Sequence, residues 1–210
     1  MRHETAQLHL DGDAGSEAFE RKLHEYAASL AGLRHMHAAR NLEGCWGAGR
    51  YTVDLQFDDD APCSTDLAQL PGVTRADHAI YHRLAGGKRA PGLRNGIWRT
   101  LMFRVRPDAR AEHVAALERD LLRMPDYMPG IRNWQLGRIV SDSAWTHVWQ
   151  QEFERVEDLQ GEYLMHPFHW GRVDRWFDPE FPEWIVTAIS HAFCPLASSI
   201  LVNTVDKESP

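Results

Sequence analysis

The chain has 210 residues, 43% hydrophobic and 25% charged, with 23 Lys and Arg against 30 Asp and Glu, a formal charge of −7. This supports a packed core, in one large domain or two of roughly 100 residues each. The acidic balance argues against non-specific nucleic-acid binding, which needs clustered Lys and Arg. Cys45, Cys63 and Cys194 form no CxxC motif, so a zinc knuckle or thioredoxin-like site has no support. The N-terminus "MRHETAQLHLDGDAG" lacks the apolar stretch of a signal peptide, and no run of 18 apolar residues exists to span a membrane. The expectation is a reduced, cytoplasmic setting with neither nucleic acid nor membrane as partner.

In chain order, residues 5–11 predict a strand, and Ser16 an N-cap. Phe19, Leu23, Tyr26, Ala27 and Leu30 follow at helical spacing. Strands near 33–41 and 50–58 flank the turn "GCWGAG"; a short helical stretch falls at 64–70 and a strand near 78–84. "GGKRAPGLRN" (86–95) has the Gly, Pro and basic content of a linker. A strand at 97–105 then opens a second series. A helix at 109–124 carries Val114, Leu117, Leu121 and Leu122 on one side. Strands follow near 131–140 and 145–153, helical segments at 156–164 and 167–176, and a strand near 184–193. "DPEFPEWIV" (178–186) reads as a rigid loop, and the polar tail "NTVDKESP" as frayed.

The second series repeats the first. "AGLRHMHAARNLEG" (31–44) lies on "PGIRNWQLGRIVSD" (129–142) at a constant offset of 98, from 130 − 32. Gly32, Arg34 and Arg40 fall on Gly130, Arg132 and Arg138, and Leu33 on Ile131. Each copy is preceded by a helical pattern and followed by a strand ending in Phe. Both halves therefore read strand–helix–strand–strand–helix–strand, the order of a ferredoxin-like α+β unit with one sheet face bare. The units are assigned to residues 1–88 and 96–196. Two tandem units bury their bare faces against each other, so the chain supplies its own partner.

Candidate functional residues concentrate in the second half. On the strand "IWRTLMFRVR", Ile97, Arg99, Leu101, Phe103 and Val105 share a face that helices should cover. Arg99 among them either pairs with a carboxylate, reaches water at the strand end, or points into a cavity and binds an anionic or carbonyl group. On the next strand, Trp145, His147, Trp149, Gln151 and Phe153 share a face. "EYLMHPFHWG" (162–171) adds Tyr163, His166 and His169. Pro167 suits the first turn of a helix, which places His166 near the N-cap and His169 one turn in. The positive helix end disfavours an imidazolium there, so a neutral His169 could accept a proton. Tyr163 could donate a hydrogen bond to an oxygen that becomes an enolate. The competing interpretation keeps His166 as a cap, His169 packed on Trp170 or Trp176, and Trp149 as core. Metal binding by the HPxH spacing or by His35 and His37 lacks further ligands nearby, so no metal is expected. If both strands line one cavity, Arg99, His147, Trp149, Tyr163, His166 and His169 are its candidate substrate groups. The first half has "DLAQLPGVTRADHAI" where such a motif would stand, and is expected to be a degenerate structural partner.

"IWRTLMFRVRP", "MPGIRNWQLGR", "WTHVWQQEFERVEDL" and "EYLMHPFHWG" resemble, in order, blocks of the stress-responsive A/B barrel (Dabb) family, over Ile97 to about Cys194. The resemblance implies a dimeric α/β barrel, here formed within one chain. The family is functionally mixed and includes a plant polyketide cyclase and, on a related fold, lactone isomerases. In that cyclase the tyrosine and second histidine of Tyr–x–x–His–Pro–x–His are the catalytic pair, which here are Tyr163 and His169. The cyclase has a histidine on its first strand where this chain has Arg99, and a guanidinium is no base near neutral pH. The expected function is a small-molecule enzyme or binder acting without a cofactor on a carbonyl-bearing, polyketide-like or aromatic substrate by His/Tyr acid–base chemistry. The alternatives are a non-catalytic stress-associated barrel and a cofactor-free monooxygenase-like protein. The tryptophan-rich surface adds the expectation of a homodimer.

Overall fold

The computed structural model describes residues 1–11, 17–63 and 65–201. The expected N-cap at Ser16 and the tail from Asn203 lie outside them. The first half runs β1 (Arg2–Leu10), α1 (Glu17–Ala28), β2 (Leu33–Arg40), β3 (Tyr51–Phe57), a single 3₁₀ turn at Leu67–Gln69, and β4 (Val73–Lys88). The second runs β5 (Arg94–Val105), α2 (Ala111–Tyr127), β6 (Asn133–Ile139), β7 (His147–Phe153), two wide helical turns between 158 and 173 with a 3₁₀ turn at Asp174–Trp176, and β8 (Val186–Ser198). Among the described residues no helix is long and apolar enough to cross a membrane.

All strand pairs are antiparallel, in the order β2-β3-β1-β4-β6-β7-β5-β8. Each half contributes four strands in the same internal order. The halves join through β4 and β6. At the far edge, Leu42 N–H donates to Phe193 O at 2.9 Å, and Trp46 and His191 exchange two backbone hydrogen bonds at 2.8 Å. The α+β sheet thus curls into a nearly closed eight-stranded barrel.

The segment expected as a linker is shorter than its composition suggests. Gly86, Gly87 and Lys88 belong to β4 and pair with Gln135, Trp134 and Asn133. The glycines serve close approach: a Cβ at Gly87 would stand 2.2 Å from the Trp134 ring, and one at Gly86 would stand 2.3 Å from Trp134 O. Arg89 then turns into the end of α2. Its Nη2 donates to Pro125 O at 2.9 Å and its Nη1 to Ile131 O at 2.8 Å. The bond to Pro125 serves a carbonyl that a helix end leaves unpaired, and α2 continues past Pro125 to Tyr127 rather than ending at 124.

Strand alternation divides the molecule into an outer and an inner layer. Leu101, Phe103 and Val105 of β5 pack with Leu117, Leu121 and Met124 of α2, and with Trp149 and Phe153 of β7, all buried. Ala6, Leu8, Tyr51, Val53, Leu55 and Phe57 do the same beneath Phe19 and Leu23 of α1. Each of these large side chains contributes about 1.5–3 kcal/mol by leaving water. The opposite faces look into the barrel, and much of that interior is polar. Tyr81 Oη donates to Gln150 Oε1 at 3.1 Å, and Gln56 Nε2 donates to Asp54 Oδ1 at 3.0 Å. Gln150 Nε2 reaches across the barrel to Asp54 Oδ2 at 3.4 Å, and Ser190 hydrogen-bonds to Gln7. Glu152 accepts from Asn133, Ser199 and the backbone of Ile200 and Leu201, at 2.6–3.1 Å. Buried polar groups of this density require mutual hydrogen bonds, which fix the register between the two halves.

Candidate functional site

The site grows from the chain that follows β7. Residues Asp158–Tyr163 and His169–Val173 are π-helical, with hydrogen bonds reaching five residues rather than four. His166 interrupts them and caps the next turn, its Nδ1 accepting from Phe168 N–H at 3.1 Å. Pro167 opens that turn, and His169 N–H bonds to His166 O at 2.9 Å. The Asp174 N–H then bonds to His169 O. On an α-helix, residues five apart lie about 140° apart around the axis. The wide turn stacks them instead, and Asp174 Oδ1 sits 3.4 Å from His169 Nδ1. Among the described residues no hydrogen bond occupies His169 Nε2.

His169 and Asp174 line a pocket of about 200 Å³ together with Arg99, Tyr163, His191 and Trp46. Leu101, Leu121, Val173, Phe177 and Ile189 supply apolar wall. Arg99 is buried, 5% exposed. Its Nε donates to His191 Nε2 at 2.8 Å and its Nη1 to Gln151 Oε1 at 2.6 Å. Its guanidinium lies 5.0 Å from the centre of the Tyr163 ring. Among the described residues Arg99 forms no salt bridge, and burial lowers its pKa from the ordinary arginine value. Burial, then the charge of Arg99, push His191 down to about 3, so it stays neutral and accepts from Arg99. Burial likewise raises the Tyr163 phenol, against the opposing pull of Arg99.

Of the residues singled out from sequence, Arg99, Tyr163 and His169 meet at the pocket, the last two in edge contact with ring centres 4.9 Å apart. The Tyr163 ring forms wall, but its hydroxyl points into the core. It lies 4.0 Å from Met124 Sδ, with the Gln151 and Trp149 side chains also at the phenol oxygen. The other three are not among the pocket-lining residues. Trp149 is fully buried behind Tyr163. His166 is the cap just described. His147 stacks on Phe103 with ring centres 4.8 Å apart, and its Nε2 lies 3.0 Å from Glu118 Oε1 on α2. Side-chain alternation put His147 on the correct face but does not fix position along it. Gln151 is the β7 residue opposite Arg99, and His147 lies four residues away, roughly 13 Å.

Three pocket residues escape a sequence reading. His191 reaches the site because β8 pairs with β5, placing His191 opposite Leu101. Asp174 reaches it through the wide turn. Trp46 comes from the first half, on a loop where Gly44, Gly47 and Gly49 all have positive φ. Among the described residues, no group of three His, Cys, Asp or Glu side chains is placed to hold a metal ion.

The sequence model of the family described as Stress responsive A/B Barrel Domain matches residues 97–190. Residues 97–190 are thus similar to a stress-responsive A/B barrel domain. No curated protein matches the sequence. Solved structures match its fold over both halves. An anthrone oxidase-like protein is 11% identical with a TM-score of 0.62, covering 93% of this chain and 91% of its own. A major regulator of staphylococcal pathogenesis is 8% identical with a TM-score of 0.57, over 95% and 100%. A ferredoxin-fold protein from Listeria monocytogenes, related to antibiotic biosynthesis monooxygenases, is 12% identical with a TM-score of 0.52, over 91% and 94%. At such identities the likeness establishes the fold.

Proposed function

We propose that the chain is a small-molecule enzyme that removes a proton from carbon next to a carbonyl group. His169 Nε2 takes the proton, the C–H electron pair moves onto the carbonyl oxygen, and the Arg99 guanidinium stabilises the resulting enolate. The Asp174 carboxylate, 3.4 Å from Nδ1 of His169, favours the tautomer with its proton on Nδ1, which leaves Nε2 as the acceptor. Tyr163 acts as a wall that touches both His169 and Arg99, while the oxyanion role expected of its hydroxyl passes to Arg99. The observation that carries this assignment is one pocket holding a histidine with a carboxylate 3.4 Å from its Nδ1 and a buried guanidinium with no salt-bridge partner among the described residues. A buried cation left in that state costs several kcal/mol, by order of magnitude, and an enolate relieves that cost as it forms.

The test is solvent exchange. A panel of keto acids and aryl ketones is incubated with the protein in D₂O, and loss of the α-proton signal is followed by NMR. Exchange of at least one panel member above the buffer rate, lost in His169→Ala and kept in Tyr163→Phe, is the expected result. Exchange that is indifferent to His169, or that needs the Tyr163 hydroxyl, refutes these roles. The oxidase and monooxygenase names among the structural neighbours suggest an oxidative fate for the same enolate, which dioxygen uptake in this assay would reveal.

A further inference from the structure

Trp46 is the pocket residue that the second half does not supply. It stands 69% exposed. Its loop is nonetheless pinned, because Trp46 N–H donates to His191 O and His191 N–H to Trp46 O, both at 2.8 Å. An indole held at a pocket mouth, with its surface left in water, is an unfilled stacking surface. In the same pocket, Arg99 uses Nε on His191 and Nη1 on Gln151, both neutral, which leaves Nη2 with no hydrogen-bond partner among the described residues. The one carboxylate at the pocket, Asp174, sits at His169 rather than at Arg99. The site thus has one open position for a negative charge and a second region that repels one. An apolar cavity of about 150 Å³ is known to hold benzene, so a pocket of about 200 Å³ has room for one ring with a small substituent.

We infer that the pocket takes a single-ring aromatic monoanion, an aryl carboxylate or phenolate, with the anion on Arg99 and the ring against Trp46. The ligand is then held between the two halves, and the first half is a working part of the site. This rests on the pocket being the substrate site proposed above, and names the class of substrate it takes. A carbonyl ortho to that anion would share the two Nη2 protons of Arg99 with it and turn its α-carbon towards His169.

The test uses ligand pairs on the intact protein. Binding of benzoate, benzamide and cyclohexanecarboxylate is titrated by ¹H–¹⁵N NMR, following the Trp46 indole resonance, assigned by its absence from Trp46→Phe. Benzoate is expected to shift that resonance and to bind about tenfold or more tighter than benzamide, which lacks the charge. It is also expected to bind several-fold tighter than cyclohexanecarboxylate, which lacks the flat ring. Trp46→Ala should weaken benzoate about three- to tenfold, and Arg99→Gln about tenfold or more. No benzoate binding, equal binding of benzoate and benzamide, or a Trp46 resonance that does not move overturns the inference, and none of these touches the exchange assay. Discrimination among the ligands without proton exchange on any substrate would instead uphold the inference and sink the catalytic reading.

Discussion

Asp54 lies wholly buried inside the barrel, beside Gln56, Gln150 and the Tyr81 phenol. Burial, aided by the charge of Glu152, lifts its carboxyl from 3.8 to about 7 against the hydrogen bonds from Gln56 and Gln150. The folded protein therefore holds a proton on Asp54 between pH 3.8 and about 7, where the unfolded chain has released it. The stabilisation is fully present below pH 3.8 and is lost as pH rises through about 7. A rise of about three pH units at 1.36 kcal/mol each amounts to roughly 4 kcal/mol. Asn has the shape of the protonated acid and cannot ionise, and it keeps one of the two oxygens that accept from Gln56 and Gln150. Asp54→Asn should match the wild type near pH 4 and exceed it by roughly 2–4 kcal/mol at pH 8. Urea unfolding of both proteins from pH 4 to pH 8 measures the gap. Comparing the two isolates Asp54, because His3 and His37, held at about 4 chiefly by burial, act with the opposite sign between pH 4 and 6.5. A gap independent of pH, or a wild type more stable than the variant at pH 8, would refute the reasoning.

Three further perturbations probe the fold and the site. Gly87→Ala puts a Cβ 2.2 Å from the Trp134 ring at the junction of the halves, and should cost about 1–3 kcal/mol by thermal denaturation; an unchanged melting temperature would show that the junction yields. Against the upward push of burial, hydrogen bonds from His147 and Arg138 hold the Glu118 carboxyl at about 2. Glu118→Gln should lose about 2–3 kcal/mol in urea melts at pH 7, the deficit shrinking as pH falls from 4.5 towards 2, whereas equal stability at pH 7 would exclude a stabilising cluster. Tyr163→Phe removes a hydroxyl that donates only weakly, to Met124 Sδ at 4.0 Å, and should change stability by less than about 1 kcal/mol while keeping benzoate affinity; lost affinity would return the hydroxyl to the pocket.

The α+β fold was legible because its signals are local and repeated. Alternation on 97–105 and 145–153 assigned the covered faces, and the matching Gly–x–Arg blocks placed equivalent turns. Arg34 pairs with Asp58 and Arg132 with Glu154 just after those turns, each acid following the terminal Phe of its strand. Gly86 and Gly87 misled because a glycine needed for close approach to Trp134 has the same letter as one in a linker. Arg99, Tyr163 and His169 were legible from strand alternation and a short motif. Asp174 was hidden because α-helical spacing puts it on another side of the helix, and only a π-turn stacks it on His169. His191 and Trp46 depend on barrel closure between residues far apart in sequence, which no local pattern encodes. His147 fell on the correct strand face but at another height, and Trp149 lies level with Leu101 yet behind Tyr163, distinctions that a periodicity of two cannot make.

The most direct measurement is a crystal structure of the protein with an unreactive planar aryl carboxylate bearing a carbonyl. The account predicts the anion or carbonyl oxygen on Arg99, the ring against Trp46, and the carbon next to the carbonyl within about 3.5 Å of His169 Nε2. A ligand bound elsewhere, or one whose reacting carbon faces away from His169 while Arg99 stays unengaged, would contradict it.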